Sequence, residues 1–105
     1  MELGCINDEM ESEESKTVLG VLHIRNDRGL HTRPSAELVK CAVKFKSEII
    51  LSLQQKEANA RSLLNILMLA ATKGSMIEIK ATGPDAEQAV EALEALAKNN
   101  FYIHY

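Results

Sequence analysis

From Val18 to Arg25 apolar and polar side chains alternate, with Gly20, Leu22 and Ile24 on one side of an extended chain and Val21, His23 and Arg25 on the other. A period of two marks a half-buried strand. Asn26-Asp27-Arg28-Gly29 is turn chemistry. Beyond it Ala36, Val39, Ala42 and Val43 recur at three- and four-residue spacing, which predicts a helix over Thr32–Lys44. Glu48–Leu53, rich in Ile and Leu, predicts a second strand, connected by Gln54-Gln55-Lys56 to a short extended segment around Glu57–Ala60. Gln-Gln is a poor hairpin signal beside Asn-Gly. Leu63–Ala71 is apolar almost throughout, and its periodicity allows either a buried strand or a short helix. Ser62 as N-cap and Gly74 past the end favour the helix, with Ile66 and Leu69 as its inward pair. Met76–Ala81 alternates again, Gly83-Pro84 breaks the chain, and Asp85 caps an Ala/Glu/Leu-rich helix to about Asn99. The order β-α-β-β-α-β-α predicts an α+β open-faced β-sandwich: an antiparallel four-stranded sheet with three helices on one face.

Composition narrows this to one domain. The 105 residues are 46% hydrophobic with two prolines, enough for one ordinary core and no second domain. Charge is unevenly spread: Glu2, Asp8, Glu9, Glu11, Glu13 and Glu14 face Lys16 alone, while the rest of the chain is mildly basic. Residues 1–16 therefore read as a disordered acidic tail and 17–105 as the folded domain. So mild a balance lacks the clustered basic face that nucleic-acid binding needs. Cys5 and Cys41 make neither a disulfide framework nor a metal set. The N-terminus lacks the order of a secretory signal and no apolar run approaches the ~20 residues of a membrane span, so a cytoplasmic protein without membrane insertion is expected.

The chemistry gathers at Gly29-Leu30-His31-Thr32-Arg33-Pro34. A histidine here stands at the mouth of a helix, and proline in the first turn sacrifices no helix hydrogen bond. The Thr32 and Arg33 amides point toward whatever sits on the imidazole, and the helix dipole adds roughly 0.3–1 kcal/mol for an anion. A neutral imidazole ring is a nucleophile. Arg33 offers a guanidinium that matches phosphoryl oxygens in a bidentate way. No metal-ligand spacing, carboxylate base or phosphate-binding glycine loop accompanies the set, so a partner must supply the catalysis and no cofactor is implied.

The string GLHTRP, followed about thirty residues on by SLLNILML, resembles HPr, the histidine-containing phosphocarrier family of the bacterial phosphoenolpyruvate-dependent sugar phosphotransferase system. The resemblance spans about Thr17–Asn100. It implies that His31 accepts a phosphoryl group from enzyme I and donates it to IIA domains of sugar permeases, through one ring nitrogen, Nδ1 or Nε2, with Arg33 as electrostatic partner. It also implies a second site at Ser62, phosphorylated by an ATP-dependent serine kinase, and a partner surface at Leu63 and Leu64. Leu67 and Met68 extend that apolar surface in this sequence. Gln54-Gln55 in place of an Asn-Gly turn, the acidic tail and Phe101–Tyr105 depart from the family pattern.

Plainer readings stand beside these. Ser62 is first an N-cap. His23 and His104 read as surface side chains, and Cys41 as a spectator thiol. A regulatory binding module of the same fold, gated by phosphorylation and not engaged in sugar uptake, is the alternative to a carrier.

Overall fold

The computed structural model describes residues 16–102. The acidic stretch before Lys16 and His104 thus lie outside the described residues. Strand β1 (Thr17–His23) leads through the His31 loop into helix α1 (Thr32–Ala42). β2 (Glu48–Leu53) and β3 (Lys56–Asn59) form a hairpin, followed by the short helix α2 (Leu63–Met68). β4 (Met76–Thr82), α3 (Ala86–Lys98) and a 3₁₀ turn (Asn100–Tyr102) complete the chain. The sheet order is β1-β4-β2-β3, with every pairing antiparallel. The expected α+β open-faced sandwich is the fold.

Alternation decides which face is covered. Leu22, Ile49, Leu51, Ile77, Ile79 and Ala81 point inward and are fully or almost fully buried beneath the helices, while Leu19, Val21 and Met76 remain exposed on the open face. Gly20 lets α3 lie close on β1, because a Cβ there would collide with the Val90 and Glu94 side chains. At that approach the Glu94 carboxylate accepts the Val21 amide at 2.9 Å. β1 is an edge strand, so the acid occupies one of its outward-facing donors.

Three expectations need correction. The fully buried positions of α1 are Pro34, Ser35, Leu38 and Ala42; of the expected Ala36/Val39/Ala42/Val43 recurrence, Ala42 is buried, Ala36 and Val39 are half-buried with Val39 packed on the core, and Val43 is 55% exposed. Small size matters more than polarity here, because Ser35 fits where the helix meets the core. Second, α2 stops at Met68, well before Gly74. Ala70 takes the left-handed turn, at φ +54, that glycine usually supplies. Third, Asp85 occupies the N-cap position of α3 without a side-chain cap bond. Its carboxylate reaches back to the start of β2, accepting the Ser47 hydroxyl at 2.6 Å and the Ser47 and Lys46 amides at 2.9 Å.

The Ser47 hydroxyl first, then the two amides, hold the Asp85 carboxyl below the ordinary aspartate range. A folded pKa below the unfolded one contributes stability above the unfolded value, about 3.9, and loses it as pH falls through the folded value. Asp85→Asn should lower stability by about 1–2 kcal/mol at neutral pH, since water competes at this partly exposed group. Urea melts across acid pH should show that difference shrinking below about pH 3.9; a gap that persists in acid would assign the loss to packing.

The β2–β3 hairpin turns on two residues, with Leu53 paired to Lys56. Gln54 and Gln55 both have positive φ, +51 and +72, as a type I′ turn requires. Left-handed backbone costs a side-chain-bearing residue about 1–2 kcal/mol. Gln54→Asn with Gln55→Gly should therefore raise the stability by about 1 kcal/mol, read from the urea midpoint; an unchanged midpoint would show that the turn carries no such strain.

Candidate functional site

His31 leaves the loop after β1 and becomes the N-cap of α1, with extended backbone at φ −95 and ψ −162 and no side-chain cap bond. Its imidazole is half-buried and is not committed to closing its own helix. Its carbonyl takes up the first helical bond, from the Ser35 amide at 3.0 Å. Thr32 and Arg33 form the first turn with exposed side chains, and buried Pro34 roots that turn in the core. The first-turn amides of Thr32 and Arg33 have no carbonyl acceptor inside the helix, which leaves the positive end of α1 beside the imidazole.

The loop is held from two sides. Asn26 and Gly29 close a turn in which the Gly29 amide donates to the Asn26 carbonyl at 3.0 Å, the asparagine-first, glycine-last pattern of a β-turn. Gly29 has φ +69, and a Cβ there would overlap the Ala71 carbonyl and Thr72 Cα. Glycine is required twice, by backbone conformation and by space. The Leu30 amide donates to the Ala71 carbonyl at 3.0 Å, the Ile24 amide to Ser75 at 2.9 Å, and the Gly74 amide to Ile24 at 2.7 Å. An exposed ion pair, Lys73 to Asp27 at 3.0 Å, crosses the same seam. The left-handed Ala70 ends α2 at the place where the next residue can serve the histidine loop.

This seam ties one end of α2 to the histidine. Ser62 caps the opposite end, accepting the Asn65 amide at 3.2 Å, and the six residues between span about 9 Å. Leu64 and Met68 are each 66% exposed and Leu63 is 37% exposed. Leu67 is only half-buried, so the open apolar surface is narrower than the four residues expected from sequence. Ile66 and Leu69 point inward as expected. Cys41 packs against the core, and burial pushes its thiol above the ordinary range, with Lys44 partly opposing; it is no reactive thiolate. Among the described residues no cluster of three or more His, Cys, Asp or Glu is arranged to hold a metal, and no helix is long and apolar enough to cross a membrane.

Asn26 and Ala71 are the site residues that the pattern of the sequence did not single out. Asn26 had a visible signal, as the first residue of a turn closed by glycine. Ala71 had none, because it contributes only its backbone carbonyl.

A histidine at the head of a helix, on an open-faced sandwich and beside an exposed apolar helix, defines the class of small α+β domain to which the chain is to be compared. Residues 20–99 match the family described as the PTS HPr component phosphorylation site. The chain is 39% identical over 80 residues to phosphocarrier protein HPr of Xylella fastidiosa (strain Temecula1), covering 76% of this chain and 90% of that one. It is 38% identical over 86 residues to phosphocarrier protein NPr of Escherichia coli (strain K12), covering 81% and 96%. The crystal structure of HPr-C-His from Thermoanaerobacter tengcongensis superposes with a TM-score of 0.79 at 34% identity, covering 84% of this chain and 99% of that one. The protein belongs to the HPr family of the phosphotransferase system.

Proposed function

We propose that this protein is a phosphocarrier: His31 accepts a phosphoryl group from enzyme I, ultimately from phosphoenolpyruvate, and donates it to IIA domains of sugar permeases. The observation that carries the reading is the placement of His31 as an N-cap whose side chain makes no cap bond. In the transfer, one imidazole nitrogen attacks phosphorus, the new P–N bond forms as the donor's bond to phosphorus breaks, and the proton on the ring's other nitrogen passes by way of solvent to balance the departing donor group. The Thr32 and Arg33 amides and the Arg33 guanidinium then bear on the phosphoryl oxygens. The carrier brings no general base, which fits a substrate of other enzymes better than a catalyst.

Leu63, Leu64 and Met68 form the docking surface for enzyme I and IIA partners in this reading, with half-buried Leu67 beneath. Phosphorylation of Ser62 by a serine kinase, reversed by a phosphorylase, would set about two negative charges against that apolar surface and weaken docking.

The test is incubation with labelled phosphoenolpyruvate and a bacterial enzyme I. The expected product carries label that is lost in acid, as phosphohistidine is and phosphoserine is not. Arg33→Ala should slow labelling while leaving the fold intact. Absence of label from a folded protein beside an active enzyme I would overturn the carrier reading.

A further inference from the structure

Asn26 is 2% exposed and belongs neither to the histidine string nor to the apolar surface of α2. Its Nδ2 donates to the Gly29 carbonyl. That same oxygen accepts the His31 amide at 3.0 Å. The backbone carbonyl of Asn26 in turn accepts the Gly29 amide at 3.0 Å. Asn26 therefore grips the peptide units on both sides of Gly29, the residue with the widest backbone freedom in the loop. The Gly29 carbonyl receives two donors, which occupies both of its lone pairs and fixes its direction. The His31 amide is aimed by that carbonyl, and with it the backbone that enters α1.

Turn stability alone does not account for an asparagine used this way. At the first position of a turn, Asp, Asn or Ser serves by accepting from the backbone. Here the side chain donates, while its Oδ1 is buried with no hydrogen-bond partner among the described residues. An unsatisfied buried acceptor is destabilising, and a small apolar residue would avoid that loss. What that residue could not supply is a second donor to the Gly29 carbonyl.

We propose that Asn26 is a positioning residue for phosphoryl transfer: acting through the Gly29 carbonyl, it holds His31 in line with the first-turn amides of α1. The inference rests on His31 as acceptor. Small displacements of a reacting group carry large rate penalties. Asn26→Ala should therefore lower kcat about tenfold when the carrier is the varied substrate of enzyme I. Its KM should stay within about twofold, because Leu63, Leu64 and Met68 are untouched.

The experiment combines these kinetics with amide hydrogen exchange on the full-length chain. In Asn26→Ala the His31 amide should exchange about tenfold faster while the Ile79 amide, in the middle of β4, keeps the parent's rate. Asn26→Ser, a shorter donor, is measured alongside and should fall between the two; if the alanine variant does not fold, the serine variant is read by the same criteria. A parental kcat, a raised KM with kcat kept, or a His31 amide exchanging as slowly as in the parent would overturn the proposal. A parent that gains no acid-labile label would instead remove the acceptor reading, and this inference with it. That pattern is distinct from a labelled parent beside an unimpaired variant.

Discussion

His31→Ala will gain no acid-labile phosphoryl group from phosphoenolpyruvate and enzyme I, yet will melt within about 4 °C of the parent. The two halves of this expectation have separate grounds. The side chain of His31 makes no cap bond to its helix, so truncation costs α1 no side-chain cap. A change of about 0.5 kcal/mol at such a site moves the midpoint of a domain this size by about 2–4 °C. The chemistry, by contrast, has no second histidine at the N-cap of a helix among the described residues. His23 is exposed on β1, away from any helix N-terminus, and should stay unlabelled. Mass spectrometry under alkaline conditions, with a parallel thermal melt, checks both halves. Acid-labile label persisting in the variant would move the acceptor elsewhere, and an unfolded variant would recast His31 as structural.

Gly29→Ala should have the largest effect of any change that leaves His31 itself in place. The added methyl group meets the Ala71 carbonyl and Thr72 Cα while the residue is held at φ +69. The left-handed conformation alone costs about 1–2 kcal/mol. Relief of the overlap then requires the loop to part from residues 71 and 72, which breaks the Leu30–Ala71 bond. A total of about 2–4 kcal/mol is expected, together with a fall in transfer rate of at least about tenfold as His31 shifts from the helix mouth. Urea melts and the rate of labelling by enzyme I provide the two readings. Parental stability would mean that the seam between the histidine loop and residues 71–75 yields easily, and that glycine is present for another reason.

Most of the architecture was legible because it rests on local periodicity. The alternation in β1 and β4, the Ile-rich β2 and the Ala/Glu/Leu pattern of α3 each point to one element and one face. The errors fall where geometry depends on a distant contact. Ser35 is polar, so a count of apolar positions passes over it, yet a small side chain is what the close approach of α1 requires. Gly74 looks like the end of α2, but Ala70 makes the turn so that Ala71 can meet Leu30. Asp85 looks like a cap and is a strut to Ser47, thirty-eight residues away along the chain. At the site, His31, Thr32 and Arg33 were readable because one helix end carries them all. The support from residues 71–75 was not, since backbone carbonyls leave no trace in residue identity, and Asn26 was legible only as the first residue of a turn.

The Glu94 carboxylate on the Val21 amide bears on how quickly such a protein can leave its partners. A messenger shuttling between a donor and a receiver has to release each of them, and its throughput is limited by the slower departure. An open strand border is the surface most prone to prolonged embrace, because a visiting extended segment can zip along it bond by bond. With an acid from α3 lying across that border, a visitor meets a negative charge where it needs a hydrogen donor. Strand pairing at β1 is thereby discouraged, which in the proposed reading leaves the small apolar surface of α2 for brief encounters.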